Sequence, residues 1–117
     1  MIVTYSAGDI VTVDFPGITG IKRRPAVVLS SEVYHSLRPD VIVGLITTQT
    51  RVQCVTDYLL QDWASSGLRV ASMFRCFIVT LPPSANLVVI GHLSERDWQG
   101  VKTCVKISLS SLDDTVA

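Results

Sequence analysis

A small, mostly antiparallel β-barrel with a helix at its C-terminal end is predicted by three features of this 117-residue sequence. Hydrophobic residues make up 48% and charged residues 17%, a balance that excludes disorder and demands a high buried fraction. The apolar residues fall in six or so short runs of β type, set apart by turns rich in Gly, Pro and Ser. Beyond Ser94 the apolar spacing changes to three and four, the period of a helix. The length suits one domain over residues 1–117, with a core that needs no disulfide or metal to hold it.

Met1–Ala7 reads as a lead-in. In Ile10–Phe15 the residues Val11, Val13 and Phe15 alternate with Thr12 and Asp14, the pattern of a half-buried strand. A loop with Pro16, Gly17 and Gly20 then carries Lys22, Arg23 and Arg24, and Pro25 opens a second strand through Leu29. Ser31 is placed to cap a helical turn over the residues that follow it. Val41–Ile46 is a continuous apolar strand ending in Thr47-Thr48-Gln49-Thr50, and Asp57–Leu60 is a short strand. Trp63–Leu68 reads as a turn in which Gly67 takes positive φ. Val70–Thr80 forms a long strand interrupted by Arg75 and ended by Pro82-Pro83, and Leu87–Ile90 adds one more. Ser94 caps the last helix, Glu95 and Asp97 suit its positive end, and Trp98, Val101, Cys104 and Val105 give it one apolar face. It is expected to end near Ser108–Leu112, with Asp113–Ala117 a loose tail.

No stretch approaches the roughly 20 apolar residues of a bilayer span, and the N-terminus lacks the pattern of a signal peptide, so a soluble chain is expected. The three cysteines, Cys54, Cys76 and Cys104, show neither disulfide nor zinc spacing; all three are expected to be buried thiols in a reducing cytosol. His35 and His92 have no carboxylate at ligand spacing, so no metal site and no cofactor are predicted. No phosphate-binding glycine loop and no hydrolase or metalloprotease motif is present.

The formal net charge is zero, which argues against a broad electrostatic footprint for long nucleic acids. The charge is nonetheless uneven. Residues 21–75 carry an excess of three positive charges, and arginines outnumber lysines seven to three. Arginine suits forked contacts with phosphate. The Lys22-Arg23-Arg24 run at the mouth of a strand suits an anion, and a solvated hairpin turn with incidental charge fits it equally. Thr47 and Thr48 at a strand end serve a groove or bond back to the backbone. Arg75, flanked by Phe74 and Cys76, must find an anion or a surface.

Taken together, GDIVTVDFP, RRPAVVLSS, VIVGLITTQ, SGLRVASMFRCFIVTL and IGHLSERDWQGV resemble, in this order, the MazF/PemK family of toxins from bacterial toxin–antitoxin pairs. The resemblance implies an SH3-like barrel that pairs into a homodimer and cuts single-stranded RNA without a metal, leaving 2′,3′-cyclic phosphate and 5′-hydroxyl ends. By position, it implies that Arg24 contacts the scissile phosphate and that Thr47 and Arg75 act at the cut. Lys22, Arg23, Thr48 and Gln49 are expected to hold the substrate, and the first loop, Pro16–Arg23, to be a mobile lid. One branch of the family has an Asp where this chain has Phe77 and a His in the first loop, where Pro16–Lys22 has none, so the resemblance assigns no general base. It also implies a cognate antitoxin, contact with operator DNA only through that antitoxin, no membrane partner and a bacterial cytoplasmic location. The related CcdB-like toxins share the barrel and bind DNA gyrase without cleavage, a reading in which Arg24 and Thr47 would be dispensable; a third reading, a non-catalytic binding module, is kept open by Phe77.

Overall fold

Strand β1, Asp9–Gly17, shows the alternation its sequence calls for. Ile10 faces one side of the sheet, while Val11, Val13 and Phe15 are buried on the other. The computed structural model describes residues 5–17, 20–51 and 53–110; the side chains of residues 16 and 17 lie outside the description. The ends of the chain, residues 1–4 of the lead-in and 111–117 of the tail, are likewise outside it.

Five further strands follow: β2 (Gly20–Val28), β3 (Val41–Thr47), β4 (Asp57–Leu59), β5 (Met73–Leu81) and β6 (Val88–His92). They form one antiparallel sheet in the order β4-β5-β3-β2-β1-β6. Helix α1, Glu32–Leu37, is capped by the Ser31 hydroxyl, which accepts from the Tyr34 N–H, as its sequence indicates. Helix α2, Glu95–Ser108, begins at the expected Ser94 cap.

The basic cluster departs from expectation. Lys22, Arg23 and Arg24 are not in a loop but inside β2, which pairs with β1 from Ile10↔Val27 to Gly17↔Gly20. Arg23 helps hold this extension: its guanidinium donates to the Thr12 carbonyl at 3.0 Å and the Thr12 hydroxyl at 3.2 Å, and lies 3.4 Å from Asp14. The expected lid over Pro16–Arg23 is therefore mostly paired hairpin, and its residues 18 and 19 lie outside the described residues.

Both faces of the sheet are covered. On one, Ile10, Val27, Ile46 and Phe74 pack with Val101 and Cys104 of α2; on the other, Val11, Val13, Phe15, Ala26, Val28 and Val43 make a second cluster. The edge strands β4 and β6 approach each other through the 3₁₀ turn Ala64–Ser66, which packs on β6. Gly67 has φ +92°, and a Cβ there would drive into the Ile90 carbonyl; one on Gly91 would meet the Ser66 carbonyl. Two glycines thus let backbone meet backbone and curl the sheet toward a barrel. Within β5, Ile78 lies opposite Gly44 but Arg75 opposite Leu45, so Cys76-Phe77 is a two-residue excess that bulges the strand.

Helix α2 is fixed by a buried carboxylate. Asp97 is fully buried and accepts from the Tyr58 hydroxyl at 2.8 Å, the Gln61 N–H at 3.0 Å and the Asp62 N–H at 2.8 Å. Asp62 in turn accepts from the Ser94 hydroxyl at 2.6 Å and from Arg96 at 2.8 Å; these partners hold its carboxyl below the usual range. The start of α2 is thereby tied to the chain leaving β4.

Replacing Asp97 by alanine strands three donors, each of which costs about 1–3 kcal/mol when buried without a partner. Solvent relieves part of this, so urea denaturation of Asp97→Ala should show a loss of about 2–4 kcal/mol, and Asp97→Asn, which keeps an acceptor, a smaller one. Burial, then the Asp97 contact, pushes the Tyr58 phenol from 10.0 up to about 12. The fold therefore favours the protonated phenol: this stabilisation is complete below pH 10.0 and fades as pH rises to about 12, because the unfolded chain ionises first. Urea midpoints should fall across that window more steeply for the wild type than for Tyr58→Phe.

Candidate active site

Directly paired residues in an antiparallel sheet share a face, and the register can therefore be followed from strand to strand. Val11 lies opposite Ala26, Ala26 opposite Leu45, Leu45 opposite Arg75, and Arg75 opposite Asp57. The next row on that face begins with Val13 opposite Arg24 and continues with Thr47 opposite Met73. Continuing the β2–β3 register by two residues from Ala26↔Leu45 sets Arg24 across from Thr47. Arg24, Thr47 and Arg75 thus come from three neighbouring strands and share one face, the face of the Val11–Val43 cluster.

Their environments differ. Among the described residues, the Arg24 side chain makes no hydrogen bond or ion pair. Thr47 is 7% exposed, and its hydroxyl accepts from the Gln49 N–H at 3.1 Å, the backbone bond expected of a strand-end threonine. That bond occupies the oxygen as an acceptor and leaves its O–H free to donate. The Arg75 Nε stands 3.5 Å from Asp57 Oδ1, with the Arg75 side chain 39% exposed and the Asp57 side chain 5% exposed. The other Asp57 oxygen accepts from the Cys54 N–H at 3.2 Å. Asp57 therefore anchors Arg75 from below and leaves the guanidinium partly open to solvent.

The sequence did not point to Asp57. Its signal is an acidic residue opening a short apolar strand, and its partner is set by a register that no local pattern announces.

The expected substrate-holding residues divide between the two faces. Lys22 pairs with Phe15 and shares the Arg24 face. Arg23 pairs with Asp14 and shares the opposite face, where its hydrogen bonds occupy it. Thr48 lines a cavity of about 400 Å³ together with Thr12, Pro25, Leu68, Arg69 and Ile90, residues of that opposite side. Gln49 is exposed and contributes its N–H to Thr47. The reason is the strand period of two, which sends neighbours to opposite faces. No group of three or more His, Cys, Asp or Glu side chains able to hold a metal ion occurs among the described residues. Among them, too, no helix is long and apolar enough to cross a membrane.

Residues 6–109 match the family model of the PemK-like, MazF-like toxin of type II toxin–antitoxin systems. The chain belongs to that family. Among solved structures, this toxin-family chain is similar to an endoribonuclease in complex with its cognate antitoxin from a mycobacterial species, at 18% identity and a TM-score of 0.74, covering 90% of this chain and 94% of that one. It is similar to MazE-MazF from Deinococcus radiodurans at 18% identity and a TM-score of 0.69, with 93% and 98% covered. It also resembles the Mycobacterium tuberculosis toxin MazF-mt6 at 23% identity and a TM-score of 0.64, with 85% and 98% covered. No curated protein sequence matches the chain. At these identities the structural likeness speaks for the fold.

The three thiols of this family member are not all buried as expected. Cys104 is buried and Cys76 half-buried, but Cys54 is exposed, because it lies in the turn before β4 where its N–H and thiol bond to Asp57. Burial pushes the Cys104 thiol up, which disfavours its thiolate. In a timed reaction of the native protein with a thiol-specific disulfide reagent, Cys54 should label first and Cys104 last, with peptide mapping of the adducts giving the order.

Proposed function

We propose that this chain is an endoribonuclease toxin that cuts single-stranded RNA by attack of the substrate's own 2′-hydroxyl on the adjacent phosphorus. The observation that carries this reading is the placement of Arg24, Thr47 and Arg75 on one face, with Arg24 unpaired among the described residues and Arg75 held by the nearly closed side chain of Asp57. Membership of the toxin family and the likeness to structures described as endoribonucleases agree with it.

The residue types fit the chemistry. In-line attack forms the 2′-O–P bond and breaks the P–O5′ bond, with solvent water taking the 2′-hydroxyl proton and supplying one to the departing 5′-oxygen. Two guanidiniums carried on strands β2 and β5 offset the negative charge that gathers on the phosphorane. A preorganised donor of this kind is worth about 3–4 kcal/mol in comparable oxyanion sites. A guanidinium holds its protons tightly, so Arg24 and Arg75 act through their charge. The Thr47 hydroxyl, already accepting from Gln49, donates to a non-bridging oxygen or orients the attacking hydroxyl. Because the nucleophile belongs to the substrate, none of these roles calls for a bound metal. With few cations engaged, RNA affinity should depend only weakly on salt.

In this reading the protein works as a homodimer in the bacterial cytosol. A cognate antitoxin inhibits it by laying an acidic or apolar segment over the Arg24 face, and operator DNA is contacted only through that antitoxin.

The test is incubation of the purified protein with a long unstructured RNA in EDTA, with mapping of the ends. Discrete cuts bearing 2′,3′-cyclic phosphate and 5′-hydroxyl termini are expected. Arg24→Ala should lower the rate about 100- to 1,000-fold with an unchanged unfolding curve. Full activity in that variant would remove the proposed site. Intact RNA with the folded wild type would turn attention to gyrase, through a supercoiling assay.

A further inference from the structure

The bulge in β5 brings forward a side chain that the proposed chemistry does not use. Phe77 is 48% exposed, although it belongs to the middle of a nine-residue strand. Residues 75, 77 and 79 alternate onto one face, the face of Val43, Leu45 and Arg24. From there the Phe77 ring reaches the Phe15 ring of β1, with centroids 6.1 Å apart and planes tilted by 37°. In the sheet order, β3 and β2 lie between the two strands, so the rings reach over the strands that carry Thr47 and Arg24. Phe15 is 1% exposed and serves as the buried backing; Phe77 presents its open side to solvent.

We propose that Phe77 is a stacking platform for one unpaired nucleobase of the RNA strand, seated next to the scissile phosphate held by Arg24 and Arg75. This rests on the endoribonuclease reading above. Every base has a π-face, so an open aromatic ring backed by a second ring holds it without demanding a hydrogen-bond pattern. The phosphates on either side of that base would lie within reach of the two guanidiniums. Charge favours an RNA occupant over a second copy of this chain. An apolar partner surface would bury Arg24 without a counter-ion, which is strongly unfavourable, whereas a phosphate neutralises it.

The test compares the wild type with Phe77→Trp, Phe77→Leu and Phe77→Ala for binding a fluorescent, mixed-sequence, 2′-O-methylated single-stranded RNA in EDTA. Such RNA cannot be cut, so affinity is read apart from cleavage. Phe77→Trp should bind as tightly as the wild type. Phe77→Leu keeps an apolar contact with Phe15 but offers no ring, and should bind roughly 5- to 150-fold more weakly, as should Phe77→Ala. In cleavage of a mapped RNA site, the loss should fall on KM more than on kcat. Sedimentation and unfolding curves of Phe77→Leu should match the wild type. Wild-type affinity in Phe77→Leu overturns the proposal, as does a change of oligomeric state with RNA affinity intact, or no binding of the probe by the wild type. Failure of the wild type to cut RNA while Phe77→Leu still loses affinity would sink the nuclease reading and leave the platform standing.

Discussion

The period of two along β2 is the constraint on which this structure depends. Arg23 and Arg24 are neighbours in sequence, and the pleat sends them to opposite sides of the sheet. Arg23 is spent on Thr12 and Asp14, where it holds the hairpin together. Arg24 is left on the side of Thr47 and Arg75, with no ion pair among the described residues. A slip of the β1–β2 register by one residue would either exchange these roles or turn Val11, Val13 and Phe15 out of their cluster. The hydrophobic alternation of β1 therefore specifies more than a core: it decides which guanidinium shares a face with Thr47 and Arg75.

The site is built by opposite treatment of its two arginines. Arg75 is held from beneath by Asp57, which takes further bonds from Cys54 and is almost closed to water. That arrangement fixes the direction of the guanidinium and partly offsets its charge. Among the described residues Arg24 has no such anchor, so its charge on this face is not offset there, although the whole chain is formally neutral. A small protein with no overall electrostatic footprint can in this way retain one strongly anion-seeking place.

How much of this could be read from the sequence depended on the range of the interactions. The Ser31 and Ser94 caps, the positive φ of Gly67 and the strand character of Val41–Ile46 are local and were legible. The extent of β2 was not, because Gly, Pro and consecutive cations resemble a loop until a partner strand supplies Asp14 and Thr12. Arg24, Thr47 and Arg75 stood out through their residue types and through family resemblance; that they share a face follows from register. Thr48 and Arg23 were grouped with them by adjacency in sequence, which in a strand means separation. Cys54 was expected to be buried from the habit of free cysteines, and its exposure reflects a turn needed to bring Asp57 into β4.

The contacts that close the sheet have a consequence for how the chain folds as it is made. They join residues 58–67 to residues 90–97, through the seam of Gly67 on Ile90 and the bonds of Asp97 to Tyr58, Gln61 and Asp62. Arg24, Thr47 and Arg75 all leave the ribosome before that closing segment does. Until it emerges, β6 and α2 are missing, the Ile10–Phe74 face is uncovered and β4 is unanchored. Such non-local closure is slow and leaves apolar surface open in the meantime. A chain cut short of α2 would hold every residue of the proposed site and yet lack the contacts that close the sheet around them.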